Sequence, residues 1–127
     1  MPRIIKSGLI QMSLPKTEGE GTIAEIMEAM LQKHIPYIEE AGKQGVQILC
    51  FQEIFNTPYF CPGQDAKWYA SEETVPGPTT ARMAEYAKKY NMVILVPDYD
   101  KEQSGVLYNT AAVISDDGTY LGKYRTK

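Results

Sequence analysis

A chain of 127 residues is the length of about one domain, and a composition of 43% hydrophobic and 23% charged residues is that of an ordinary globular protein, not a disordered or fibrous one. The 13 basic and 16 acidic residues give a net charge of −3 and are interspersed, so no basic stripe exists to neutralise phosphates and nucleic acid is not expected as a partner. No apolar run approaches the ~20 residues needed to span a bilayer, and the N-terminus lacks an apolar stretch followed by a small-residue cleavage site; a cytoplasmic protein without a membrane partner is expected.

The first element in chain order is "RIIKSGLIQM", apolar and β-rich, which predicts a buried strand over about residues 3 to 12. After the connector "SLPKTEGEG", Ile23, Ile26, Met27, Met30 and Leu31 recur at helical spacing, with Thr22 and Glu25 placed as a capping box. Pro36 is expected to kink or break this helix, and Gly42 or Gly45 to end it. "VQILCFQ" then predicts a second strand, parallel to the first because a helix connects them. From Ile54 to Pro78 four prolines and several aromatics follow no period; a loop this long is usually functional, with a short helix expected near residues 65 to 70. "GPTTARMAEYAKKYN" predicts a second helix opened by Pro78 and closed near Asn91. Three strand-like runs complete the chain, "MVILVPDY", "GVLYNTAAVI" and "TYLGKYR", and the turn "SDDG" makes the last two a hairpin. The sum is an α/β fold with a mixed sheet.

Among residues able to carry chemistry, Glu53 stands out, because "QILCFQEIF" is a buried-strand pattern that ends on a carboxylate. An ionised carboxylate in a core is costly unless paired, whereas at the carboxyl end of a central strand it lies where ligand sites gather in open α/β sheets. Two readings stand side by side: a catalytic acid or base, or a carboxylate that caps the following turn or pairs with a lysine. Cys61, in the aromatic loop, has no evident base to activate it, and Cys50, inside an apolar strand, reads as a small buried hydrophobe. The two cysteines are too few for a disulfide scaffold, and neither spacing resembles a metal site. His34 is the sole histidine and lies mid-helix, which argues against a histidine-dependent triad and for a core or surface role. Asn109 and Thr110 in "YNTAAVI" read as ties between strand ends. In "GKYRTK" a lysine placed across the strand ends from Glu53 would supply an oxyanion partner, although a solvated charge cluster is the commoner explanation for such a run.

The ordered motifs "ILCFQE", "PYFCP", "PGPTT", "VILVP", "VLYNTAAVI" and "DDGTYLGKYR" together resemble the N-terminal part of the nitrilase-like carbon-nitrogen hydrolases. Within that family the chain is most similar to β-ureidopropionase and other N-carbamoyl amino acid amidohydrolases, over Arg3 to Arg125. The resemblance implies an αββα sandwich, helices on one face of each sheet, and an enzyme that works with Glu, Lys and Cys and without cofactor or metal. It implies a small ureido or amide substrate and makes Glu53 the general base, partly desolvated and held near a lysine. The family lysine directly follows the arginine of a G-x-Y-R-K pattern; here Thr126 stands in that place and Lys127 comes one residue late, so Lys127 is carried over one place out of register, where a strand would turn it to the opposite face. Lys123 matches a non-catalytic position. Neither Cys50 nor Cys61 matches the family nucleophile, which lies on a later strand-to-helix turn, and Asp100 stands where relatives usually show a glutamate. Residues 1–127 are thus expected to be a partial hydrolase domain, inactive alone. The alternative is a non-catalytic α/β module for assembly or binding, whose uncovered apolar sheet surface would favour a homo-oligomer.

Overall fold

The computed structural model describes residues 2–16, 19–58, 66–71, 73–103 and 106–126. Its order is β1 (Ser7–Ile10), α1 (Ile23–Lys43), β2 (Ile48–Phe51), a 3₁₀ turn (Ala66–Ser71), α2 (Pro78–Tyr90), β3 (Val93–Gln103), β4 (Val106–Ile114) and β5 (Tyr120–Arg125). The five strands form one sheet in sequence order, β1, β2 and β3 parallel, β4 and β5 antiparallel. The sheet is mixed, as the element order implies, because each parallel pair is joined through a helix and each antiparallel pair through only a few residues.

Cross-strand partners share a face of a sheet, so the register sorts the strand residues. Leu49, Ile94 and Ile114 lie in one row and Val96 and Ala112 in another; with Phe51 they are buried under α1 and α2, against Leu31, Ile38, Met83 and Ala87. The opposite face carries the row Leu9, Cys50, Leu95, Val113 and the pair Ala111 and Tyr124. No described element covers it: Leu9 is 85% and Tyr124 70% exposed. One helical layer therefore stands on one sheet, the αβ half of the expected sandwich.

Local chemistry explains most boundaries. Thr22 caps α1 by accepting from the Glu25 N–H at 3.2 Å. The helix does not break at Pro36, contrary to expectation. Pro36 is exposed, where water can serve the carbonyl that loses its partner, while Met30, Leu31, His34 and Ile38 keep the buried stripe continuous on either side. The helix ends at Lys43, and Gly45 takes the left-handed conformation (φ +75°) just beyond. Strand β1 is shorter than expected: Arg3 to Lys6 are outside it and Ile4 and Ile5 are exposed. α2 opens at Pro78 and closes on Asn91 with φ +50°, as the sequence implies. The β4–β5 hairpin is closed by Ser115 N–H to Thr119 O at 2.8 Å.

Candidate active site

β2 stops at Phe51, and the chain turns sharply over the next six residues. Gln52 holds the start of this turn: its N–H donates to Ile10 O at 3.1 Å and its side-chain oxygen accepts from Met12 N–H at 2.6 Å. Ile54 then adopts φ +49°, a conformation that is a true outlier for a β-branched residue and that persists only where the surroundings over-determine it. The surroundings do so. Ile54, Phe55, Asn56 and Thr57 are all buried, and Phe55 stacks on Phe51 at 4.5 Å between ring centroids while His34 meets both rings edge-on at 5.1 and 5.5 Å. The turn is a plug driven into the helical layer, and Glu53 is its one exposed residue.

The expectation of a desolvated Glu53 is corrected by this placement. The strand ends two residues before Glu53, so the carboxylate emerges into solvent. Its carboxylate Oε1 accepts from the side-chain Nδ2 of Asn109 on β4. Asn109 therefore does tie strand ends, but the end it ties carries the candidate base, a partnership that spacing alone does not reveal. The Asn109 carbonyl in turn accepts from Thr126 N–H at 2.8 Å and Thr126 Oγ1 at 3.1 Å, which holds Thr126 beside Asn109. Lys127 and Cys61 lie outside the described residues.

The other charged candidates of "GKYRTK" do not face Glu53. Lys123 Nζ lies 2.7 Å from Asp100 Oδ2 and donates to Val75 O at 2.8 Å; Arg125 donates twice to the same oxygen at 3.1 Å and sits over the Tyr108 ring at 4.1 Å. Desolvation pushes the buried Asp100 carboxyl up, but the hydrogen bonds from Lys123 and Arg125 outweigh it and hold the group below the ordinary carboxylate range. Asp100 Oδ1 accepts from Val75 N–H at 3.2 Å, so this cluster binds the strap before α2 to the hairpin. Its role is structural. His34 occupies the core, its Nδ1 2.7 Å from Met30 O, and desolvation pushes its imidazole below the ordinary range. Cys50 is half-buried on the uncovered sheet face, and burial pushes its thiol up, which makes it a poor nucleophile. Among the described residues no group of three His, Cys, Asp or Glu side chains is placed to hold a metal, and no helix is long and apolar enough to cross a membrane.

A mixed sheet under two helices is a fold that solved structures share. A crystal structure of a carbon-nitrogen hydrolase from Helicobacter pylori superposes with a TM-score of 0.81 at 23% identity, over 95% of this chain and 39% of that one. The carbon-nitrogen hydrolase family model matches residues 8–126, and the chain belongs to that family. It is 38% identical over 128 residues to the β-ureidopropionase of Arabidopsis thaliana, covering 98% of this chain and 31% of the relative. It is 36% identical over 104 residues to the human omega-amidase NIT2, covering 81% and 36%, and 37% identical over 89 residues to the N-carbamoylputrescine amidase of Solanum lycopersicum, covering 69% and 29%. The chain thus spans about a third of the length of the curated relatives it matches.

Proposed function

We propose that this chain supplies the general base to a hydrolase of non-peptide carbon-nitrogen bonds, acting on N-carbamoyl-β-alanine or a related N-carbamoyl amine or amino acid. Glu53 takes the proton of a cysteine thiol as the sulfur attacks the carbamoyl carbon, then returns it to the leaving amine. A lysine stabilises the oxyanion of the tetrahedral intermediate. Water then releases the thioester, yielding carbon dioxide, ammonia and the free amine. The observation that carries this reading is Glu53 itself, exposed on a rigid, over-determined turn with its carboxylate oriented by Asn109. The choice of an N-carbamoyl substrate over a simple amide rests on the similarity to β-ureidopropionase and N-carbamoylputrescine amidase, against which stands that to an omega-amidase.

Neither Cys50 nor Cys61 matches the nucleophile, so the 127-residue chain alone should release no ammonia from N-carbamoyl-β-alanine. Steady-state turnover that survives Cys61→Ala and is abolished by Glu53→Ala would overturn this assignment of the thiol. Joined to a cysteine-bearing remainder of the family domain, the chain should support ammonia release from N-carbamoyl-β-alanine and N-carbamoylputrescine, and Glu53→Gln should lower kcat by at least about 10²-fold. Faster hydrolysis of a terminal amide than of either ureido compound would refute the substrate choice.

A second reading has its own observation. The sheet face bearing Leu9, Cys50, Leu95, Val113 and Tyr124 has no described cover, as befits a non-catalytic module that associates through that face, a homo-oligomer included. Sedimentation separates the readings: concentration-dependent association of the isolated chain favours the module, and a monomer with a cooperative melt counts against it.

A further inference from the structure

Behind the Glu53 turn, on the helix-covered face, four buried or half-buried side chains close a ring. Asn56 Nδ2 donates to Asp98 Oδ1 on β3 and to Thr79 Oγ1 at the start of α2, both at 3.2 Å. The Thr79 N–H donates to Glu73 Oε1 at 3.0 Å, and the Glu73 carboxylate lies against Asp98. Asp98 is 1% exposed. Its Oδ1 also accepts from the Tyr99 N–H at 2.8 Å, yet no N–H or O–H of the described residues reaches its Oδ2. Two carboxylates in contact, one of them fully buried, repel unless a proton sits between them, and an orphaned buried acceptor carries the desolvation cost of a lost hydrogen bond. One proton on Asp98 answers both.

We infer that Glu73 and Asp98 share one proton, and that this proton latches the turn bearing Glu53 to the strap before α2 and to β3. With the proton in place Asp98 Oδ2 donates to the Glu73 carboxylate, and the ring Asp98, Asn56, Thr79, Glu73 joins β2's exit turn, β3 and the α2 N-terminus into one unit. When the proton leaves to solvent, two adjacent anions remain and the ring opens at its carboxyl pair.

The neighbouring charges leave Asp98 this role. Asp100, two residues along β3, is neutralised by Lys123 and Arg125 of β5, so those cations are engaged. Arg82 of α2 pairs with Glu28 of α1 at 2.6 Å; both line with Glu73 an open cavity of about 220 Å³, through which the shared proton exchanges with solvent. His34 of α1 packs on Phe51 and Phe55. Burial first, then the hydrogen-bonding contact with Glu73, and then the Glu73 charge, push the Asp98 carboxyl up to about 9. The native chain therefore holds a proton that the unfolded chain releases near pH 4, so stability from this pair falls as pH rises from about 4 to about 9.

Two measurements on the 127-residue chain test the latch, and neither uses enzymatic activity. Carbon-13 titration should find the Asp98 carboxyl carbon at its neutral-acid chemical shift from about pH 5 to about pH 8, and an ionised shift at about pH 6 would overturn the proposal. Over the same range one bound proton makes the unfolding constant rise about tenfold per pH unit. Asp98→Asn, which keeps the shape without titrating, should remove that tenfold dependence; an unchanged pH slope would again overturn it. Should Asp98→Asn fail to fold, Glu73→Gln decides. Removing the neighbouring charge should move the ionisation of Asp98 at least about one pH unit lower, and an unmoved titration would mean that burial alone, not sharing, holds the proton.

Discussion

Phe55→Ala tests whether the Glu53 turn is held by burial. Phe55 is fully buried, stacks on Phe51 at 4.5 Å with an interplanar angle of 23°, and receives the edge of His34 at 5.1 Å. Truncating a buried phenylalanine costs about 3–5 kcal/mol in lost transfer energy and cavity, a large share of the roughly 5–15 kcal/mol by which a domain is stable. At a urea slope of about 2 kcal/mol per molar, the midpoint should fall by about 2 M. A cycle of Phe51→Leu, Phe55→Leu and the double variant isolates the ring stack, for which about 0.5–1.5 kcal/mol of coupling is expected. Amide exchange at Gln52, Glu53 and Ile54 should accelerate more than exchange in β4, because Ile54 at φ +49° stays in place only while its neighbours force it to. A loss below about 1 kcal/mol, with exchange at the turn unchanged, would refute the view that aromatic packing positions the carboxylate.

A Cβ on Gly42 would stand 2.4 Å from the Tyr90 ring and 2.9 Å from its Cβ, so Gly42→Ala should destabilise by about 1–3 kcal/mol of overpacking, yet stabilise by up to about 1 kcal/mol of helix propensity in a Tyr90→Ala background; the same sign in both would show that the two helices do not meet there. Asp100 titrates below its ordinary value in the folded chain, so its contribution is present above about pH 4 and is lost as pH falls through the folded value. Asp100→Asn should therefore lose stability at pH 7 and show a flatter acid limb in thermal melts below about pH 4 than the parent chain.

Much of this was legible in the residues, for reasons that can be named. Helix ends were readable because Thr22, Pro78, Asn91 and Gly45 each satisfy or forbid a particular backbone group, and such rules act within a few residues. The "SDDG" hairpin and the parallel β1–β2 pair follow from connection length. Pro36 misled because a proline's cost depends on what surrounds the carbonyl it strands, and an exposed helix face lowers that cost. The same limit applies to the charges. "GKYRTK" shows a cation cluster, but its partner, Asp100, lies more than twenty residues away and meets it only through strand register.

The Glu53 region makes the distinction sharper. A carboxylate after a buried strand invites an explanation by desolvation, yet the acids buried in the described residues are Asp100, held down by Lys123 and Arg125, and Asp98, whose carboxyl burial raises and which has no motif around it. Glu53 itself is exposed, and its orientation comes from Asn109, 56 positions along the chain. Both facts follow from one step, the end of β2 at Phe51. Ending the strand there turns Ile54, Phe55 and Asn56 inward, which fixes the turn and sends Asn56 to Asp98, and leaves Glu53 pointing out beside β4. If the latch and the aromatic plug both act on that turn, Phe55→Ala and Asp98→Ala should be non-additive. Their combined loss should fall short of the sum of the single losses by at least about 0.5 kcal/mol, since either one releases the same six residues. Strict additivity would mean that the acid pair and the rings hold separate parts of the fold, and that the carboxylate at the strand end is oriented by Asn109 without their help.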